Sequence, residues 1–239
     1  MHFTTWAFGG LFLVAAASAD AAVISFNFTT TGNFGNINAA ASTMAPDVTA
    51  GVVPVANWNN SVGGTSGTVG SLTDDSGAVT TASVGYSGGE SNWGNDHAVT
   101  TGNGRMMVGM FGNGLKSPQA TFSLLPYDSY DVYVYVVQGS FGSAGVHTIT
   151  ANGGPAEYVR HQNWNGTFVE SNWTDSAATA PAGNYVKFTG VTGSTLVVAD
   201  TFTNDGGITG IQIVAVPEPA SIAALGLAGL AILSSRRRV

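Results

Sequence analysis

Asparagine–tryptophan pairs are the residues of this chain whose types and spacing most directly suggest chemistry. Four of the five tryptophans follow an asparagine, and the tetrapeptide Glu-Ser-Asn-Trp occurs twice, at 90–93 and 170–173. Each pair lies in a Gly/Asn/Ser-rich stretch that predicts a loop. An indole can stack on the apolar face of a pyranose while nearby amides hydrogen-bond its hydroxyls. The pattern therefore predicts a glycan-binding surface made of Trp58, Trp93, Trp164, Trp173, Asn92 and Asn172.

The same tryptophans also have a purely structural interpretation. A large aromatic side chain under a long loop can plug the end of a β-sandwich and bury its ring. The repeated tetrapeptide does not decide the matter, because the sequence around it does not repeat visibly. Glycan contact and core packing both stay open at the level of sequence.

Glutamates supply a second candidate chemistry, which is glycoside hydrolysis. A glycosidase needs two carboxyl groups across the scissile bond, with one of them kept protonated by its surroundings. Glu90, Glu157 and Glu170 are the candidates, but no spacing singles out a pair. We therefore assign no catalytic residue and keep a secreted polysaccharide-acting hydrolase as the alternative function.

Calcium is the one metal for which the sequence offers candidate ligands. Asp200, Asn204 and Asp205, and separately Asp74–Asp75, could supply the oxygen ligands that a hard cation requires. Ordinary turn chemistry explains the same residues, because Asp and Asn favour tight turns without any metal. The histidines His2, His97, His147 and His161 form no ligand set by spacing, and Asp96 beside His97 completes no recognisable triad.

Composition excludes several other functions. The body of the chain, 22–215, has four basic and twelve acidic residues, so it would repel phosphate backbones and nucleic acid is not an expected partner. The chain has no cysteine, which removes disulfides, thiol catalysis and zinc–thiolate sites together. The glycine-rich stretch 102–114 lacks the strand-to-helix context of a phosphate loop and is predicted to be a flexible connection.

The elements that must position these residues are predicted to be β-strands. Charged residues make up only 9% of a chain with 33 glycines, and strong helix formers are scarce. The segment 130–137 is apolar or aromatic on both faces, which is typical of a central strand. Strands without intervening helical patterns favour a single all-β sandwich over 22–215. The predicted strands are 23–28, 120–125, 130–137, 146–151, 185–188, 195–199 and 208–214.

The N-terminal segment predicts a signal peptide. Residues 6–17 are almost wholly apolar, and Ala17-Ser18-Ala19 or Ala19-Asp20-Ala21 supplies the small-x-small pattern that signal peptidase cleaves. The stretch 1–5 has no Lys or Arg, which departs from the usual basic start. We expect 1–21 to be removed during export.

The C-terminal segment predicts a short membrane helix with a processing site before it. The run 220–233 is uncharged and would reach roughly 21 Å as a helix, which is short of the ~30 Å bilayer core. A basic cluster after an apolar run holds the end of a membrane segment on the cytoplasmic side. Two prolines before the run favour an extended, accessible backbone. The residues of this pattern are Val216, Pro217, Glu218 and Pro219, followed by 220–233 and by Arg236, Arg237 and Arg238.

A Pro-Glu-Pro box, an apolar segment and a closing arginine cluster in that order resemble the PEP-CTERM sorting tail. The resemblance covers 216–239 alone and implies processing by an exosortase-type membrane protease. It implies a membrane-anchored precursor that is then delivered to the cell surface or the extracellular space. It says nothing of what the body does there.

The body resembles a loosely defined group of secreted bacterial jelly-roll modules, with a galactose-binding-like or carbohydrate-module-like shape. The resemblance rests on the segments 58–60, 102–109, 127–135, 183–188 and 207–213. None of these segments is a catalytic signature, so the resemblance implies a fold and no ligand.

Together these observations predict an exported, surface-sorted protein with a structural or adhesive role and glycan as the favoured contact. Its expected partners are signal peptidase, an exosortase, the membrane before processing, and extracellular polysaccharide. The rival interpretations are a polysaccharide hydrolase and a matrix component whose only specific partner is the sorting machinery.

Overall fold

The body of the chain is almost entirely β-structure, as the sequence predicts. The computed structural model describes residues 22–30, 39–94, 99–112, 117–139 and 145–217. Its short helices are α1 (Ala39–Ser42), α2 (Gly102–Met106) and a 3-10 turn (Ala177–Thr179). Its strands are β1 (Val23–Asn27), β2 (Asn59–Asn60), β3 (Ser66–Val69), β4 (Ser83–Ser87), β5 (Glu90–Gly94), β6 (Gly109–Gly112), β7 (Gln119–Ser123), β8 (Ser129–Gln138), β9 (Val146–Ala151), β10 (Glu157–His161), β11 (Ala182–Gly183), β12 (Tyr185–Thr192), β13 (Thr195–Phe202) and β14 (Gly206–Ala215).

The strands form two sheets, an arrangement that is consistent with a jelly roll. The first sheet has the order β12-β8-β14-β1-β2, with β6 paired to β14 and β5 paired to β6. The second sheet has the order β11-β10-β9-β13-β7-β4-β3. Neighbours pair antiparallel except β1 with β2 and β10 with β11. The prediction of a central strand is confirmed, because β8 lies between β12 and β14.

The main core fills the space between the two sheets. Alternate residues of each strand point into it, as the period of two requires. Phe26 of β1 and Phe28, which follows the strand, meet edge to face with ring centroids 5.2 Å apart, and Phe28 stacks on Phe111 of β6 at 4.7 Å. Phe122 of β7 reaches Phe26 from the opposite sheet at 6.0 Å. These aromatic contacts join the sheets with geometries that aromatic pairs favour.

A second core covers the outer face of the first sheet. Segment 39–58 and helix α2 lie over this face and bury Met44, Trp58 and Met106 against Tyr135 of β8. The Tyr135 hydroxyl donates to Gln212 of β14, whose side-chain amide donates to the Val53 carbonyl at 2.9 Å. The first sheet is therefore packed on both faces, with buried polar groups as well as apolar side chains on its outer face.

The structure of the stretch 102–114 differs from the prediction. It was predicted to be a flexible connection, whereas its described part contains α2 and β6. Thr101 caps α2 by accepting the Gly104 N–H at 3.0 Å. A Cβ at Gly102 would lie 2.0 Å from the Thr49 carbonyl oxygen, so α2 packs against segment 39–58 because residue 102 has no side chain. The glycines there allow close packing rather than flexibility.

Both terminal predictions fall largely outside the described residues. The signal peptide at 1–21 lies outside them, as does the sorting tail from Glu218 onward. Among the residues that the structure does describe, no helix is long and apolar enough to span a membrane.

Candidate functional site

The chain between β10 and β12 connects the edges of the two sheets and carries several of the predicted site residues. The Ser171 N–H donates to the Tyr185 carbonyl of β12 at 2.9 Å. On the other side, the Tyr158 N–H of β10 donates to the Trp173 carbonyl at 2.8 Å. The segment 170–173, one of the two Glu-Ser-Asn-Trp sequences, is thus fixed at both sheets.

Trp173 is the predicted tryptophan whose described side chain is partly open to solvent. Its ring is half-buried, and its indole N–H donates to the Thr179 hydroxyl at 3.2 Å. The Thr179 hydroxyl also lies 2.9 Å from that of Ser176, which braces the 3-10 turn. Asn172 beside it is exposed. The segment thus places an oriented, partly exposed indole next to an exposed amide.

Two glutamates belong to this region: Glu170 begins the tryptophan segment, and Glu157 in β10 is close enough to be affected by its charge. Tyr185 is buried, and its hydroxyl donates to Glu170 Oε2 at 2.9 Å. Burial and this hydrogen bond raise the pKa of Tyr185 to about 12, so the hydroxyl keeps its proton. Burial, followed by the charge of Glu170, raises the pKa of Glu157. The two carboxyl groups therefore interact and differ in environment.

Two of the predicted glycan-contacting tryptophans are buried instead. Trp58 is 4% exposed, donates its indole N–H to the Val55 carbonyl at 3.0 Å, and lies 6.4 Å from the Tyr135 ring. Trp164 is 8% exposed and packs on Phe168 at 4.9 Å. Their rings present no face to a ligand, which corrects the prediction at these two positions and supports the packing interpretation there.

The second Glu-Ser-Asn-Trp sequence lies in β5, not in a loop. Its backbone pairs with β6, with Trp93 opposite Met110 and Glu90 opposite Gly112. The side chains of Glu90, Asn92 and Trp93 lie outside the described residues.

The calcium prediction at Asp200, Asn204 and Asp205 is not supported by the side-chain geometry. Asp200 belongs to β13, and its side chain is buried between the sheets. Asn204 is exposed in the turn before β14 with a φ of 65°. Among the described residues, no three His, Asp or Glu side chains are placed to hold a metal ion. At Asp74, Oδ1 accepts the N–H groups of Ser76 and Ala78, which is turn chemistry.

A buried chain of three ionisable groups was not predicted from the sequence. The Gly145 N–H donates to His161 Nε2 at 2.8 Å, so the proton of a neutral His161 lies on Nδ1. That nitrogen lies 2.8 Å from His147 Nε2, and His147 Nδ1 lies 2.6 Å from Asp200 Oδ2. One backbone N–H thus fixes the direction of every hydrogen bond in the chain.

This buried chain occupies three neighbouring strands of the second sheet. His161 is in β10, His147 in β9 and Asp200 in β13, and all three are at most 2% exposed. The alternation of inward and outward residues along each strand could have indicated their burial. His147 shares the inward face of β9 with Ile149, and Asp200 shares that of β13 with Val198. Spacing along the chain could not have paired them, since they are joined by sheet register.

The body is thus a two-sheet, almost all-β module that ends at the beginning of the predicted tail. The PEP-CTERM protein-sorting motif matches residues 215–238, which confirms the tail seen in the sequence. The motif supports export of the chain and its sorting by an exosortase. It covers a tenth of the chain and says nothing of the body.

Comparisons with other proteins add little about the body. No curated protein matches the chain significantly. One solved structure, of the GH115 4-O-methyl-alpha-glucuronidase BtGH115A with specificity for decorated arabinogalactans, is similar to 46% of this chain. The identity is 10%, the TM-score is 0.31 and the match spans 15% of that chain. So slight a likeness supports no conclusion about activity, and no enzyme family is identified.

Proposed function

We propose that this protein acts at the cell surface or in the extracellular matrix in a structural or adhesive role, after sorting by an exosortase. The observation that carries the proposal is the sorting motif at 215–238, which begins at the last residue of β14, the final strand of a two-sheet body. A binding or structural module attached to such a tail is delivered outside the cell, where polysaccharide is abundant.

The point at which pairing ends supports processing at the motif. The last backbone hydrogen bond of the body is donated by Val216 to the Ser129 carbonyl at 2.9 Å. Val216 is 40% exposed and Pro217 is exposed. Since a proline has no N–H to add to the sheet, Pro217 prevents β14 from extending into the motif. A protease would therefore meet the Pro-Glu-Pro box outside the sheet.

Replacement of Pro217, Glu218 and Pro219 by alanine tests the sorting proposal. In a host that encodes an exosortase, we expect this variant to stay in the membrane fraction while the wild type is released. Immunoblots of membrane and medium measure the ratio. Pro155→Ala, in an exposed bend of the body, is the matched control and should be released normally. Equal release of the triple variant and the wild type would contradict the proposal.

The favoured adhesive contact is glycan at the Trp173 segment. The support is the half-buried indole held by Thr179, with exposed Asn172 and exposed Glu170 on the same segment. In a polysaccharide pull-down with the full chain in mild detergent, Trp173→Ala should lower the bound fraction. Val79→Ala, which removes a 71% exposed apolar side chain elsewhere, is the control and should bind normally. Unchanged binding by Trp173→Ala would overturn this contact.

A polysaccharide hydrolase is the second candidate, and one observation favours it. Burial and the charge of Glu170 raise the pKa of Glu157, and a glycosidase keeps its acid protonated by a shift in this direction. Release of reducing ends that is lost in both Glu157→Gln and Glu170→Gln would establish this candidate. Binding without release excludes it, and neither binding nor release leaves a matrix component that meets only its sorting machinery.

A further inference from the structure

The outer face of the second sheet carries small, uncharged side chains over three adjacent strands. Strands β3, β4 and β7 pair in register, so that Thr68, Gly85 and Thr121 form one outward row across the sheet. Ser66, Ser87 and Gln119 form the next row. The inward residues Tyr86 and Ala120, which lie between the two rows, belong to the main core. This face therefore holds hydroxyl groups, one side-chain amide and no charge.

A shallow, open groove of about 380 Å³ lies over these strands. The groove is open at Gly85, because this residue has no side chain and lies between Thr68 and Thr121 in the central row. A Cβ at Gly85 would have only the Thr68 hydroxyl within 4 Å, at 3.9 Å, so the space above it is open. Thr68 and Thr121 lie two strand spacings apart, or about 10 Å, which leaves room for a narrow extended chain between them.

The polar groups of the groove determine which ligand could bind there. Its side chains are hydroxyls and the Gln119 amide, which already donates to the Thr121 hydroxyl at 3.3 Å. The Tyr86 hydroxyl beneath accepts the Val62 N–H and donates to the Gly63 carbonyl, so it is satisfied within the protein. A ligand here would both donate hydrogen bonds to the Ser and Thr hydroxyls and accept hydrogen bonds from them. The hydroxyl groups of a polyol can do both.

Charge argues against the other ligand classes. None of the basic residues that the structure describes lines the groove; Lys187, for example, pairs with Asp131 on the first sheet at 2.8 Å. A polyanion would therefore find no counter-charge, and a cation would find no carboxylate among the lining residues. None of the lining residues has a large apolar side chain that is exposed, so the groove offers a lipid no apolar surface of its own.

We propose that this groove, lined by Ser66, Thr68, Gly85, Ser87, Gln119 and Thr121, binds a neutral polysaccharide chain. The inference deepens the proposed adhesive role and rests on it for the choice of an extracellular partner. The groove is a second site, separate from Trp173. Trp173 lies beside β10, near the opposite edge of the second sheet from β3 and β4.

Filling the groove tests the proposal. Gly85→Gln puts a neutral side chain into the open space without a clash, and Gly70→Gln is the matched control because nothing lies within 4 Å of a Cβ there. The full chain in mild detergent is titrated with dextran, hydroxyethylcellulose and galactomannan, and with polygalacturonate as the polyanion. We expect saturable binding of at least one neutral polymer, weakened about tenfold or more by Gly85→Gln and unchanged by Gly70→Gln, as loss of two or three hydrogen bonds predicts.

Several results would overturn the proposal. They are no binding of any neutral polymer, equal affinity of Gly85→Gln and the wild type, and tighter binding of polygalacturonate than of the neutral polymers. Self-association that Gly85→Gln abolishes would assign the face to a second copy instead. Release of Gly85→Gln into the medium is scored in parallel. Normal release with lost binding supports the groove, whereas failed release of the wild type would count against the sorting proposal alone.

Discussion

The two sheets of this body differ in what lies on their outer faces. The first sheet is covered by segment 39–58 and helix α2, so that β14 is buried along most of its length. The second sheet alternates between buried and open positions, and its open face over β3, β4 and β7 carries Ser, Thr, Gly and Gln. Bulky Met and Trp side chains stabilise the covered sheet. The open sheet has no such packing demand on its outer face, which leaves that face available for contact.

The covered sheet should be the more sensitive of the two to substitution. Trp58→Ala removes a side chain that is 4% exposed against Tyr135 and is expected to cost about 3–5 kcal/mol of unfolding free energy. Urea denaturation measures the loss. Val79, between β3 and β4, is 71% exposed, and Val79→Ala should change the unfolding free energy by no more than ~0.5 kcal/mol. If Trp58→Ala lost as little unfolding free energy as Val79→Ala, segment 39–58 would not be tightly packed on the first sheet.

The buried hydrogen-bonded chain in the open sheet should have an intermediate effect. Asp200→Ala leaves the His147 ring nitrogen without its acceptor and should cost about 1–3 kcal/mol. Asp200→Asn keeps an oxygen at nearly the same place and should cost less. The two variants are compared by their urea midpoints at neutral pH. Equal midpoints would show that the hydrogen bond to His147 is not what stabilises this inner face.

The smallest effect should be a pH dependence at the edge of the open sheet. Burial and the charge of Glu170 raise the pKa of Glu157 in the folded state above its ordinary value of 4.5. Ionising it therefore costs more in the folded protein than in the unfolded chain, and stability falls as pH rises from 4.5 through the raised pKa. Gln does not titrate, so the melting temperature of Glu157→Gln should gain on the wild type over that window. A constant difference from pH 4 to 8 would contradict this.

The sequence predicted the apolar strands well and the glycine-rich ones poorly. All seven predicted strands exist, and 146–151 has the bounds of β9. β3 and β4 were missed because Ser66-Gly67-Thr68-Val69 and Ser83-Val84-Gly85-Tyr86-Ser87 have small outward residues that are typical of loops. The small outward residues that leave this part of the second sheet open are thus what hid β3 and β4.

The candidate site was predictable only in part, for a physical reason. Residue type identified the Trp173 segment, but nothing local distinguished it from Trp58 or Trp164, whose burial depends on distant residues such as Tyr135 and Phe168. Register between strands also joins His147 to Asp200, 53 residues apart. Side chains brought together in this way cannot be paired by their spacing along the chain.

Cysteine labelling tests the contrast between the covered and open faces most directly, because the chain has no cysteine of its own. Ser25, on the covered face, is 2% exposed and accepts from Gln212, whereas Ser87 is exposed in the groove. In the folded full chain, Ser87→Cys should react rapidly with a maleimide and more slowly when a saturating neutral polysaccharide is present. Ser25→Cys should react only after unfolding. Equal reaction of the two thiols in the folded protein, or no protection of Ser87→Cys by any neutral polysaccharide, would contradict the account.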